Sequence, residues 1–147
     1  MAKNFSRVYS AELEGIEAKL IEVETDINVG LHSFNIVGLP TKAVEEAKER
    51  VRTALTNTGI EFPQKKITVN LAPADIKKTG SQYDLAIAVG YLLATKQIKN
   101  FETKDKIFVG ELSLEGYKKM LGDYQRRKEK TQTDVDGILL RLREEIQ

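Results

Sequence analysis

Ile67–Gly90 reads ITVNLAPADIKKTGSQYDLAIAVG. Its first residues continue a β-branched run, Lys65–Leu71, with the composition of a strand. Pro73, Asp75, Lys77, Lys78 and Gly80 then interrupt the apolar pattern as turn formers and charges. Leu85–Thr95 is apolar almost without break, too short to cross a bilayer, which takes about 20 such residues, and so is expected to be a buried helix. Ser81-x-x-Asp84 in front of it has the spacing of a capping box. The stretch therefore predicts strand, polar loop, buried helix, with the loop as the place to look for chemistry.

Upstream, the chain alternates. In Arg7–Glu14, Tyr9, Ala11 and Leu13 point one way, and Ser10, Glu12 and Glu14 the other. Past Gly15, Ile21, Val23, Thr25 and Ile27 alternate with Glu22, Glu24 and Asp26. Two period-two runs around a glycine predict an antiparallel pair with one wet face. Gly30 turns the chain into a third strand, Ser33–Val37. After Gly38-Leu39-Pro40, Thr41 is the expected N-cap of a helix whose stripe is Val44, Ala47, Val51, Ala54 and Leu55, ended by Asn57-Thr58-Gly59. Lys106–Leu114 (KIFVGELSL) predicts a last strand. About five strands and two helices imply an α+β layer, with helices on one face of a mixed sheet.

Residues 1–115 form the expected domain, and 116–147 a tail of different character. In the tail, Tyr117, Met120, Leu121 and Tyr124 make one helical stripe, and Val135, Ile138, Leu139, Leu142 and Ile146 another. A helical hairpin or two stacked helices fits that pattern, the first half basic and the second leaning acidic. The composition is that of a globular chain: 41% hydrophobic and 31% charged, with a formal net charge of +1 that gives no global pull toward nucleic acid. The absence of cysteine excludes disulfide and thiolate chemistry. The N-terminus lacks the apolar run of a signal peptide, so a cytoplasmic protein with no membrane contact is expected.

Several blocks resemble the ComM/YifB magnesium-chelatase-like competence family of bacteria: Arg7–Ile27, Phe34–Leu55, Asn57–Pro63, Ile67–Gly90 and Phe108–Gly116. They cover about four fifths of the chain. The resemblance implies a ribosomal-S-five domain-two-like fold, shared with the Lon proteolytic domain. In that family such a domain precedes a hexameric ATPase of the AAA+ type associated with DNA branch migration. These 147 residues contain no G-x-x-x-x-G-K-[ST] phosphate loop. No cofactor is therefore expected here, ATP and Mg²⁺ belonging to the ATPase region.

Lon-type proteases place a serine in a D-G-P-S loop and activate it with a lysine. Matching Gly80 to that glycine puts Gln82 at the nucleophile position and Ser81 one residue away, where capping is the simpler role. Ser81 stands as the single weak catalytic candidate, Lys77 and Lys78 reading as solvated loop lysines. His32 is the lone histidine, and no EF-hand or H-E-x-x-H spacing exists, so no metal site is expected. Arg50, Arg52, Lys65, Lys66, Lys77, Lys78, Arg126, Arg127 and Lys128 are the candidate contacts to nucleic acid or a partner. The expected function is a non-catalytic module for self-association or docking to a protein partner, with DNA possible. A Lon-like serine hydrolase and a DNA-binding accessory domain are the alternatives.

Overall fold

The structure, a computed structural model, describes residues 4–62 and 65–115. The expected tail, with Arg126, Arg127 and Lys128, lies outside the described residues. Four strands, β1 (Phe5–Glu14), β2 (Glu17–Asn28), β3 (Ser33–Val37) and β4 (Lys66–Ala72), form one mixed sheet in the order β1-β2-β4-β3. β1 and β2 pair antiparallel from Phe5↔Asp26 to Glu14↔Glu17, β4 joins β2 antiparallel, and β3 runs parallel to β4. A parallel neighbour requires a crossover, here made by two helices, α1 (Lys42–Glu45) and α2 (Ala47–Asn57). A third, α3 (Asp84–Ala94), follows β4. None of the described helices is long and apolar enough to span a membrane.

The apolar stripe behaves as its spacing requires: Val44 on α1 and Ala47, Val51, Ala54 and Leu55 on α2 are all buried. The helix expected to run unbroken from Thr41 is instead divided at Glu46, and the Thr41 side chain makes no capping hydrogen bond. At its far end Gly59 takes a φ of 84°, the left-handed conformation expected after a helix. β2 buries Ile21, Val23, Thr25 and Ile27, as its alternation predicts.

β1 reverses expectation. Its buried residues are Ser6, Val8, Ser10 and Glu12, while Leu13 is exposed. The cause is the helix above it. α3 approaches so closely that a Cβ on Gly90 would lie 2.8 Å from Thr25 Oγ1 and 3.3 Å from Ser6 Oγ. The Ser6 hydroxyl donates to the Gly90 carbonyl at 2.6 Å. Small side chains are needed beneath a helix at that separation, and β1 supplies Ser6 and β2 Thr25 there.

The expected strand Lys106–Leu114 does not form; the segment joins no ladder. Phe108 N donates to Tyr9 O on the edge of β1 at 2.8 Å. The chain then leaves the sheet for the N-terminus of α3, where Gly110 O accepts from Leu85 N at 3.0 Å and Gly110 N donates to Gln82 O at 2.9 Å. Among the described residues the sheet thus has four strands rather than about five.

Candidate functional site

The loop between β4 and α3 is fastened on three sides. On the first, it lies against the Gly38-Leu39-Pro40 turn. Lys78 N donates to Leu39 O at 3.1 Å and Thr41 N to Lys78 O at 3.0 Å. Gly38 has a φ of 102°, and a Cβ there would lie 2.1 Å from Leu71 O, so the turn touches β4 with no room for a side chain. The Lys78 side chain, with no solvent exposure, donates its ammonium to Gly38 O at 2.6 Å and to Pro73 O. Burial lowers its pKa, opposed by the charges of Asp75 and Glu12.

The second fastening is Glu12 on β1, only 3% exposed. Its Oε1 accepts from Thr79 N at 2.8 Å and from the Tyr83 hydroxyl at 2.6 Å, and its Oε2 from Thr79 Oγ1 at 2.6 Å. A buried carboxylate of this kind is tolerated because hydrogen bonds replace its hydration. Burial, then the Glu12 hydrogen bond, raises the Tyr83 hydroxyl far above the usual phenol range.

The third is Asp84, the first residue of α3 and fully buried. Arg50 on α2 grips it with both ends of its fork, Nε to Oδ2 at 2.6 Å and Nη2 to Oδ1 at 3.1 Å. Leu112 N adds a bond to Oδ2 at 3.1 Å. Burial pushes the Asp84 carboxyl up, and the Arg50 and Leu112 bonds hold it down. The expected capping box is therefore absent: α3 has no side-chain cap, and Asp84 joins two helices and the 110–112 segment instead. Ser81, the other half of that box, donates its hydroxyl to Glu111 Oε2 at 2.6 Å.

These contacts sort the residues singled out in the sequence. Ser81 has an exposed carboxylate as its partner, a weak base for an alcohol, while the Lys78 ammonium is bound to carbonyls. The reading of Lys78 as a solvated contact does not hold, since it has no exposed surface. Arg50 is likewise engaged within the fold rather than turned to a partner. Arg52 lies over an aromatic stack, its guanidinium carbon 5.5 Å from the Phe62 ring centre and 5.9 Å from that of Phe34. Lys66 and Lys77 are exposed and Lys65 half-buried. Lys65 and Lys66 stand at the start of β4 and Lys77 beyond its end, so these basics do not form one patch. Among the described residues, no group of three or more His, Asp or Glu side chains could hold a metal ion.

Glu12 was missed as a site residue because its alternation partner positions looked wet. The usable signal was Val8, an apolar residue in phase with Ser10 and Glu12. The pairing of Arg50 with Asp84 spans 34 residues and leaves no local mark in the sequence.

Residues 23–128 match the family described as subunit ChlI of magnesium chelatase, a range that holds the second half of β2, the turn, the fastened loop and α3. The chain belongs to that family. Its relatives include the competence protein ComM of Haemophilus influenzae, 47% identical over 109 residues, covering 74% of this chain and 21% of ComM. YifB of Escherichia coli is 45% identical over 113 residues, covering 77% of this chain and 22% of YifB. An uncharacterised Mycobacterium bovis protein is 38% identical over 110 residues, 75% of this chain and 22% of that protein. The chain therefore spans about a fifth of the length of these ChlI-family relatives.

Proposed function

We propose that this chain is a non-catalytic, Lon-like scaffold module of a ComM-type protein, acting by self-association or by docking a protein partner in DNA processing. It has its setting in the cytoplasm. ATP and Mg²⁺ are the business of the larger part of the relatives that this chain does not match. The observation that carries this reading is the use made of the fastened loop. The polar groups that could do chemistry are engaged within the fold: Glu12 by Thr79 and Tyr83, the Lys78 ammonium by the Gly38 and Pro73 carbonyls, and Asp84 by Arg50 and Leu112 N. A buried network satisfied in this way specifies and stiffens a surface. Further support comes from the name of the Haemophilus influenzae relative, a competence protein.

The test pairs Ser81→Ala with a serine-reactive probe. Unchanged stability and association in the variant, together with no labelling of the wild-type chain, is the expected result. Labelling at Ser81, or a hydrolytic activity lost with it, replaces this reading with the serine hydrolase. DNA binding that falls steeply with salt shifts it toward a nucleic-acid accessory domain using Lys65, Lys66 and Lys77.

A further inference from the structure

The stretch from Lys106 to Ser113 alternates in two independent ways. Ile107, Val109, Glu111 and Ser113 are exposed, and Phe108, Gly110 and Leu112 are buried. The amides follow the same period. Those of Lys106, Phe108, Gly110 and Leu112 donate in turn to Thr103 O at 3.2 Å, Tyr9 O at 2.8 Å, Gln82 O at 2.9 Å and Asp84 Oδ2 at 3.1 Å. Among the described residues, no hydrogen bond engages the backbone N–H or C=O of Ile107, Val109, Glu111 or Ser113. A period of two is that of a β-strand. One side of this row is spent on β1 and the start of α3, and the other side is open.

An open row of amides and carbonyls is complementary to another strand, which supplies the same groups at the same spacing. The fold holds the row in place from behind. Asn57 Nδ2 donates to Leu114 O at 2.5 Å, and Leu112 N binds the Asp84 carboxylate that Arg50 grips. Little ordering is left to be done on binding, which favours affinity. Ile107 and Val109, 58% and 45% exposed, would stand beside alternate side chains of the added strand. Glu111 is the one charged residue among the four exposed positions. It accepts from Ser81 through Oε2, and Arg50, whose charge reaches it, is committed to Asp84. A second copy of the same row has no cation to set beside Glu111, so a different polypeptide fits better.

We infer that the 107–113 row is a docking edge, where an extended segment of a partner protein adds as a β-strand. The segment places apolar residues beside Ile107 and Val109 and a lysine or arginine beside Glu111. The inference rests on the docking half of the proposed function and names the class of its partner.

The full 147-residue chain is titrated with a peptide of alternating valine and threonine that carries a lysine at each end, and amide hydrogen exchange is followed residue by residue. In the free chain the amides of Ile107, Val109, Glu111 and Ser113 are expected to exchange fast, and those of Phe108, Gly110 and Leu112 slowly. Bound peptide is expected to slow the first set. Methylating either the valine or the threonine nitrogens blocks one edge of the peptide. One of the two methylated peptides is expected to lose about tenfold or more in affinity, and the other to bind as before. Val109→Pro removes an amide that the fold does not use, and is expected to weaken binding while circular dichroism shows the chain still folded. No binding, binding that leaves the four amides unprotected, or equal binding by the two methylated peptides overturns the inference, while docking at another surface stands. Protection of the four amides that grows with the concentration of the free chain gives the row to a second copy, and overturns it too.

Discussion

β1 and β2 are the two arms of one hairpin, covered by the same helix, and they bury opposite kinds of residue. β2 places Ile21, Val23, Thr25 and Ile27 inward, and β1 places Ser6, Val8, Ser10 and Glu12 inward. What differs is the surface each arm meets. Where the helix comes closest, at Gly90, both arms present a small hydroxyl side chain, Ser6 from β1 and Thr25 from β2. Glu12 lies under a loop that presents three hydrogen-bond donors to it. The polarity of an inward strand position is thus set by the donors and the separation across from it, with hydrophobicity the rule only where a side chain has room.

Raising pH should break the comparison most completely. The hydroxyls of Tyr83 and Tyr91 are both pushed up by burial, that of Tyr91 to about 12. A folded-state value above the unfolded one gives stability that is whole below about pH 10 and is lost as pH rises through the folded values. The melting temperature should therefore fall steeply above pH 10, and Tyr83→Phe should remove the part of that pH dependence tied to β1. A melting curve series in both proteins checks this. Lys78 acts with the opposite sign, since its lowered value makes stability rise as pH approaches 10.5.

Glu12→Ala comes next. It leaves the buried Tyr83 hydroxyl and the Thr79 amide without their acceptor, at an expected cost of about 2–3 kcal/mol by denaturant unfolding. Gly90→Ala should cost about 1–3 kcal/mol, because the new methyl group meets Thr25 Oγ1 and Ser6 Oγ. Adding Thr25→Ala should recover part of that loss, and a double-mutant cycle measures the coupling. Additive effects would show that the helix moves away instead. The smallest effect is expected at Ser10, whose buried hydroxyl has no hydrogen-bond partner among the described residues. Ser10→Ala should change stability by no more than about 0.5 kcal/mol.

Much of the fold could be read from the chain because it rests on local periodicity. β2 and the α2 stripe follow from spacing, α3 from an apolar run, and the helix end at Gly59 from the need for a left-handed residue. What could not be read depends on residues far apart in sequence. Ser81 and Asp84 have the spacing of a cap, but Arg50 offers Asp84 a fork of two donors, and that pairing prevails. Lys106–Leu114 has strand composition, but its amide hydrogens go to one residue of β1 and then to the start of α3. Lys78 carries no sign in the sequence that separates it from Lys77, and burial divides the two. Membership of the ChlI family was legible throughout, since it resides in blocks of residues and not in their contacts.

At Gly38 the turn meets the Leu71 carbonyl with no side chain between them. Turn and strand must therefore travel as one plate, and Leu39, 54% exposed on that plate, is carried with it. A spin label or fluorophore at Leu39 would report the motion of the sheet as one body, without the noise that a surface loop usually adds.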